Sequence, residues 1–268
     1  MEASLFWLTV FLYVMAFVLQ LSGFVTGWQT GGRVARWAVL AGLAVHTALL
    51  GARWAAGGHA PVTNTYELNL TGAWITVLAF LIFAQFRKVD PFVGLVVVPG
   101  AFLLLGHGYL SRTPAAPMGP DYRSPWLGVH VIFAFLAFGS FLMGTAAALL
   151  LLLRGRIRAW RPGAAIPEAE ALDLASYRLV AFGFINHAIM LASGSIWAKQ
   201  LWGRYWSWDA LETWSLIAFL FYAFYLHTRS FLGWKLRRAA WLTVAGLVVL
   251  VVSFWGVEWF APSVHPGP

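Results

Sequence analysis

The chain has 268 residues, of which 60% are hydrophobic and only 10% charged, with a formal net charge of +8 at neutral pH. So little polar surface cannot cover a soluble globule, which points to an integral membrane protein. The absence of cysteine excludes disulfides, thiolate metal sites and any thiol chemistry by the chain itself.

Lipid offers no partner to backbone polar groups, and long apolar runs without alternation select helices over a closed barrel. The expected fold is an all-α polytopic bundle in a single domain, residues 1–268. Its eight expected spans are Leu5–Phe24, Trp37–Trp54, Leu70–Phe86, Phe92–Leu110, Val129–Leu153, Leu179–Ala198, Trp214–Leu232 and Ala239–Val257. The first run lacks a basic leader and continues for the ~20 residues a bilayer requires, so it reads as a span and not a cleaved signal.

Alternate loops divide the basic residues unequally. Arg33, Arg36, Arg87, Lys88, Arg154, Arg156, Arg158, Arg161, Arg178, Arg229, Lys235, Arg237 and Arg238, 13 of 18, fall on one side; Arg53, Arg112, Arg123, Lys199 and Arg204 fall on the other. The second side also holds Glu2, Glu67, Asp121, Asp209, Glu212 and Glu258, leaving it at −1 against +9. The positive-inside rule makes the first side cytoplasmic and puts both termini outside. The basic excess then faces anionic lipids, and a nucleic-acid partner loses its main support.

Two connections exceed tight turns. Ser111–Trp126 contains Pro114, Pro117, Pro120 and Pro125 and reads as an irregular lid or linker. Between Pro167 and Arg178, the stretch EAEALDLASY reads as a short amphipathic helix at the interface. Pro99 predicts a kink or a short, broken helix in the fourth span. No internal repeat is evident.

Seven histidines supply the neutral-pH metal ligands. His130 begins the fifth span and His265 follows the eighth, so both lie level with the outward loops, either as interfacial residues or as ligands. His227, in FYLHTR on the inner half of the seventh span, is an ionisable group at membrane depth and a candidate ligand. His46 and His187 fall mid-span and are expected to be hydrogen-bonded between helices. Glu67 in PVTNTYE reads as part of a helix-capping loop with Asn64 or Thr65 as the cap.

The most unusual stretch is WGRYWSWDALETW, Trp202–Trp214. An aromatic belt explains many of the 16 tryptophans, but a belt requires no particular order. Here Trp202, Tyr205, Trp206, Trp208 and Trp214 crowd one outward loop around Gly203, Arg204, Asp209 and Glu212. Indole faces can stack on a flat apolar ligand while the charged side chains meet a polar edge. Together with paired outward histidines, this surface suggests haem, whose iron takes two axial imidazoles.

These residues resemble the cytochrome c biogenesis proteins of the CcsA/ResC type, within the haem-handling group named for a tryptophan-rich WWD motif. The motif stands as WGRYWSWDALETW, preceded by GSIWAKQ, followed by YAFYLHTR, and the likeness runs from PVTNTYE through SPWLGVHV to His265. One departure is visible: Ala210 and Leu211 follow the Asp where the family usually has Pro-Lys. The resemblance implies haem b as substrate, with His130 and His265 as axial ligands beside the motif. It implies that His227 ligates haem within the membrane, opposite a histidine of a CcsB/ResB-type partner. It further implies attachment to a CXXCH apocytochrome c, thioredoxin-like reductants, and a multi-pass protein of the cytoplasmic membrane with its motif facing the periplasmic or extracellular side. Arg204 is a candidate for a haem propionate. Two alternatives remain open: a haem chaperone without ligation activity, and a cytochrome b-type electron carrier using His46, His187 and His227.

Overall fold

The computed structural model describes residues 1–86 and 91–256. Among these, eight helices are long and apolar enough to cross a membrane: α1 (Glu2–Thr26), α2 (Gln29–Gly57), α3 (Thr65–Phe86), α4 (Pro91–Leu110), α5 (Pro125–Trp160), α6 (Ala169–Trp202), α7 (Ala210–Ser230) and α8 (Arg237–Val251), the last continuing into a π-helical turn at Val252–Gly256. The protein is therefore an all-α, multi-pass membrane protein, as its composition predicts. Large apolar side chains such as Phe11, Leu103, Ile185, Leu220 and Val248 lie exposed on the helices, as a lipid-facing surface requires.

The expected spans are all present, Val257 at the end of the eighth lying outside the described residues, but several helices outrun them. At 1.5 Å per residue the 36 residues of α5 rise about 54 Å, well beyond a hydrocarbon core of about 30 Å. The amphipathic stretch before Arg178 is no separate helix. It forms the first turns of α6, entered at Ala169. Arg154 and Arg158 of α5 pair with Glu168 just ahead of it, and their hydrogen bonds, Arg154's first, hold the Glu168 carboxyl below the usual carboxylate range. Helix α4 runs unbroken across Pro99, so the expected break is not seen.

The backbone groups into two compact units, the first ending at Arg123 and the second beginning at Ser124. In the first, α1 packs on α2 and α4, and α3 packs on α4. Tyr13 of α1 lies against Gly42 of α2 so closely that an added Cβ would sit 2.6 Å from the ring, and the Tyr13 hydroxyl meets His46 Nδ1 at 3.3 Å. At one end of this unit Arg53, only 2% exposed, is consumed by partners. It donates to Glu67 Oε1 at 2.9 Å and to the carbonyls of Thr113 and Pro114 at 2.9 and 3.2 Å, with Glu2 at 3.5 Å. His59 adds a contact from Nε2 to the Ala116 carbonyl at 2.9 Å. The proline-rich segment, irregular apart from one 3₁₀ turn at Pro120–Tyr122, is thereby tied down at its start.

In the second unit α5 packs along α6 and α8, with α7 against α6 and α8. Rings again rest on glycines: Phe141 on Gly183 of α6 and Tyr222 on Gly246 of α8, each about 2.8–2.9 Å from a hypothetical Cβ. Small residues let the helix backbones approach, which lipid alone does not drive. At the end of this unit opposite the tryptophan loop, Arg229 of α7 donates to both carboxylate oxygens of Asp173 at 2.8 and 2.9 Å. Asp173 also accepts from the Leu236 amide at 2.9 Å, fixing the α7–α8 connection against α6.

Candidate functional site

The tryptophan stretch occupies the connection between α6 and α7, entirely within the second unit. Helix α6 stops because Gly203 takes a left-handed conformation, φ 74°, and returns its amide to the Lys199 carbonyl at 3.1 Å. Helix α7 starts at Asp209, whose Oδ1 accepts from the Glu212 amide at 2.8 Å. Glu212 in turn reaches back, its Oε2 accepting from the Ser207 amide at 2.6 Å and the Ser207 hydroxyl at 3.0 Å. The two carboxylates thus form a variant capping box that folds the loop onto the helix it precedes. The same device opens α3 in the other unit: Asn64 caps the Glu67 amide at 3.0 Å, and Glu67 Oε2 accepts from the Thr63 amide and hydroxyl at 3.0 and 2.8 Å. Asn64 is therefore the cap there.

This geometry accounts for the departure at Ala210. It is the first residue of α7, where the missing N–H of a proline would go unused and φ is already helical. Alanine, the best helix former, enters that position without altering the helix start.

With its carboxylates turned to the backbone, the loop presents its aromatic and basic side chains. Tyr205 and Trp208 are 59% and 71% exposed, and Arg204 is exposed without an ion-pair partner among the described residues. Trp208 stands at φ 60°, an uncommon backbone state for a bulky residue, and its ring meets Trp206 edge to face at 5.9 Å. The Trp206 Nε1 donor is buried with no hydrogen-bond acceptor among the described residues, a donor that a bound ligand's oxygen would satisfy. Lys199 lies over the Tyr205 ring at 5.6 Å.

From Trp202, at the end of α6, rings lead inward: Trp202 to Trp197 at 5.9 Å, and Trp197 to His130 of α5 at 6.4 Å. His130 is half-buried and its Nδ1 lies 2.9 Å from the Met190 carbonyl of α6. A carbonyl can only accept, so Nδ1 carries a proton, and when the ring is neutral its lone pair lies on Nε2, the nitrogen a metal would use. Gly194 makes this possible. A Cβ there would stand 2.6 Å from Nδ1 and 2.9 Å from Cε1.

The remaining histidines divide clearly. His187 bridges α6 and α7 through Nε2 to the Ser215 carbonyl at 3.1 Å, and His46 bridges α2 and α1, so both serve between helices as expected. His227 is exposed on α7 and stacks on Phe231 at 4.8 Å. His265 lies outside the described residues. Among the described residues no three His, Asp or Glu gather as ligands for a bare metal ion, whereas an iron held in a macrocycle needs only axial donors. The sequence-derived set of Trp202, Gly203, Arg204, Tyr205, Trp206, Trp208, Asp209, Glu212 and Trp214 thus forms one continuous element, from the last residue of α6 into the second turn of α7. Sequence reasoning passed over Gly194 and Trp197. The run GSIWAKQ, with its small residue three before an indole, was the available signal.

Residues 62–265 match the family described as "Cytochrome C assembly protein". Among curated proteins, the chain is 34% identical to "Cytochrome c biogenesis protein CcsA" of Synechococcus sp. (strain RCC307), over 87% of this chain and 84% of that one. It is 33% identical to the protein of the same name from Prochlorococcus marinus (strain MIT 9303), over 82% and 80%. Among solved structures it superposes on "Cytochrome c Heme Lyase CcmF" with a TM-score of 0.69 at 18% identity, a likeness of fold, covering 96% of this chain. This chain spans about half the length of that protein, 47%.

Proposed function

Because the chain belongs to the cytochrome c assembly family, and within it to the CcsA type, we propose that it brings haem to the tryptophan loop and presents it for covalent attachment to a CXXCH apocytochrome c. A role in cytochrome c maturation follows from the family itself. The finer reading rests chiefly on His130, whose Nδ1 bond to the Met190 carbonyl directs Nε2 as donor beside the Trp197–Trp202 rings. His265 supplies the second axial imidazole, Arg204 meets a propionate, and Trp206 Nε1 donates to the ligand.

In this reading the loop faces the periplasmic or extracellular side of the cytoplasmic membrane. His227, exposed on α7, faces a CcsB/ResB-type partner whose histidine completes a ligand pair on the route outward. The haem is haem b. Each thioether forms as an apocytochrome S–H adds across a vinyl C=C, with thioredoxin-like proteins keeping those thiols reduced. A chain without cysteine holds and orients the reactants and competes for neither vinyl group. It would be the catalytic half of a holocytochrome c synthase.

The test is co-expression with a CcsB/ResB-type partner and a CXXCH reporter, reading covalent haem on the reporter and the absorption spectrum of the purified complex. His130→Ala and His265→Ala are each expected to abolish reporter haem. Full haem content and full maturation in both would overturn the site. Haem bound normally with none attached to the reporter would identify a chaperone. Stable, redox-active haem in the absence of both histidines would identify an electron carrier built on the membrane histidines.

A further inference from the structure

At the end of the first unit where α2 begins and α3 ends, the two helices part to leave a cavity of about 560 Å³, within the range of small-molecule pockets. Its wall is apolar, contributed by Trp37, Leu40 and Leu43 of α2 and Leu78 of α3, and its mouth carries Arg33, Arg36 and Gln85. From Arg36 to Leu43 the wall runs about 10 Å along the helix axis. Arg36 donates to Gln85 across the opening, which ties its guanidinium to α3. Among the described residues, neither arginine has an ion-pair partner and no acidic side chain lines the cavity. Helix α2 begins at this same end without a side-chain cap, so its partial positive charge adds to that of the arginines.

We propose that this groove is a binding site for an anionic phospholipid, its phosphate held by Arg33 and Arg36 and one acyl chain laid along the leucines. Three features select this occupant. Two uncompensated guanidiniums favour a phosphate over a zwitterion. The apolar wall begins where the charge ends, which matches an amphiphile and not a soluble anion. The groove also lies on a chain that spans the membrane, so the ligand is delivered laterally. The inference is independent of the haem reading: none of its residues belongs to the tryptophan loop or to the histidine set.

The experiment is native mass spectrometry of the full chain released from neutral detergent, titrated with phosphatidylglycerol or with phosphatidylcholine of the same acyl chains. Phosphatidylglycerol should bind at least about tenfold more tightly, and Arg33→Ala with Arg36→Ala should remove that preference. A second variant, Leu78→Trp, fills the groove and leaves the charges; it should weaken both lipids equally, with the lipid-free melting temperature confirming the fold. Arg156→Ala with Arg237→Ala serves as the control for charge in general. Equal binding of the two lipids, a preference that survives loss of both arginines, or an equal loss in the control pair would each overturn the proposal. Haem is the rival amphiphile. If free haem displaced phosphatidylglycerol where its dimethyl ester did not, the groove would be a propionate site and the lipid assignment would fall.

Discussion

Gly194→Ala offers the sharpest separation of stability from ligand binding. The new Cβ would lie 2.6 Å from His130 Nδ1, against an ordinary contact of at least 3.4 Å, so the imidazole must retreat by about 0.8 Å. Movement of that size carries the 2.9 Å bond to the Met190 carbonyl past about 3.5 Å, where it no longer holds. Losing one such bond costs about 1 kcal/mol, while replacing a helical glycine by alanine returns a similar amount. The melting temperature should therefore barely change. The ring would have lost the contact that fixes its tautomer and orientation, and disturbance of such supports lowers metal affinity by about 10–100-fold. Haem titration followed at the Soret band measures this directly. Gly51→Ala, a helical glycine whose added Cβ meets nothing within 4 Å, is the control. Wild-type haem affinity in Gly194→Ala would refute the claim that α6 positions His130.

Further outcomes follow from the two ends of the second unit. Asp209→Asn keeps a good cap and should be stable and functional, whereas Asp209→Ala should cost about 1 kcal/mol of α7 stability in a thermal melt; loss of haem transfer in the stable Asn variant would mean that the charge itself acts. Asp173→Ala strands the Arg229 guanidinium and should destabilise by about 3–5 kcal/mol, with faster proteolysis of the 231–236 connection. A melt shifted by less than about 1 kcal/mol would show that Arg229 finds another partner.

The membrane fold was legible because lipid leaves a chain so few options: eight apolar runs had to be eight helices, and they are. Helix lengths were less legible, since hydropathy reports only what lies in lipid. Residues such as Glu170 and Asp173 read as a separate interfacial helix, although they belong to the first turns of α6. The cap at Asn64 was readable from an Asn followed three residues later by Glu. The identical spacing from Asp209 to Glu212 was present too, but the surrounding indoles drew both carboxylates toward a ligand role. Arg53 shows the limit of counting charges along a line. It counted as a loop base, yet it is enclosed by Glu67 and the carbonyls of a segment some 60 residues away. His130's depth could be inferred, but its tautomer could not, because that depends on a carbonyl brought from another helix.

The glycines beneath Tyr13, Phe141, Tyr222 and His130 act as index marks between neighbouring helices. An aromatic ring can lie flush only where a Cβ is missing, so rotating or sliding either helix by one residue drives the ring into a side chain. Each pair is thereby keyed to a single register. Three of these keys lock the scaffold, and the fourth locks an imidazole. The aim of His130 is therefore set by the same gearing that assembles α5 against α6, and a lesion at Gly183 would be expected to register at His130.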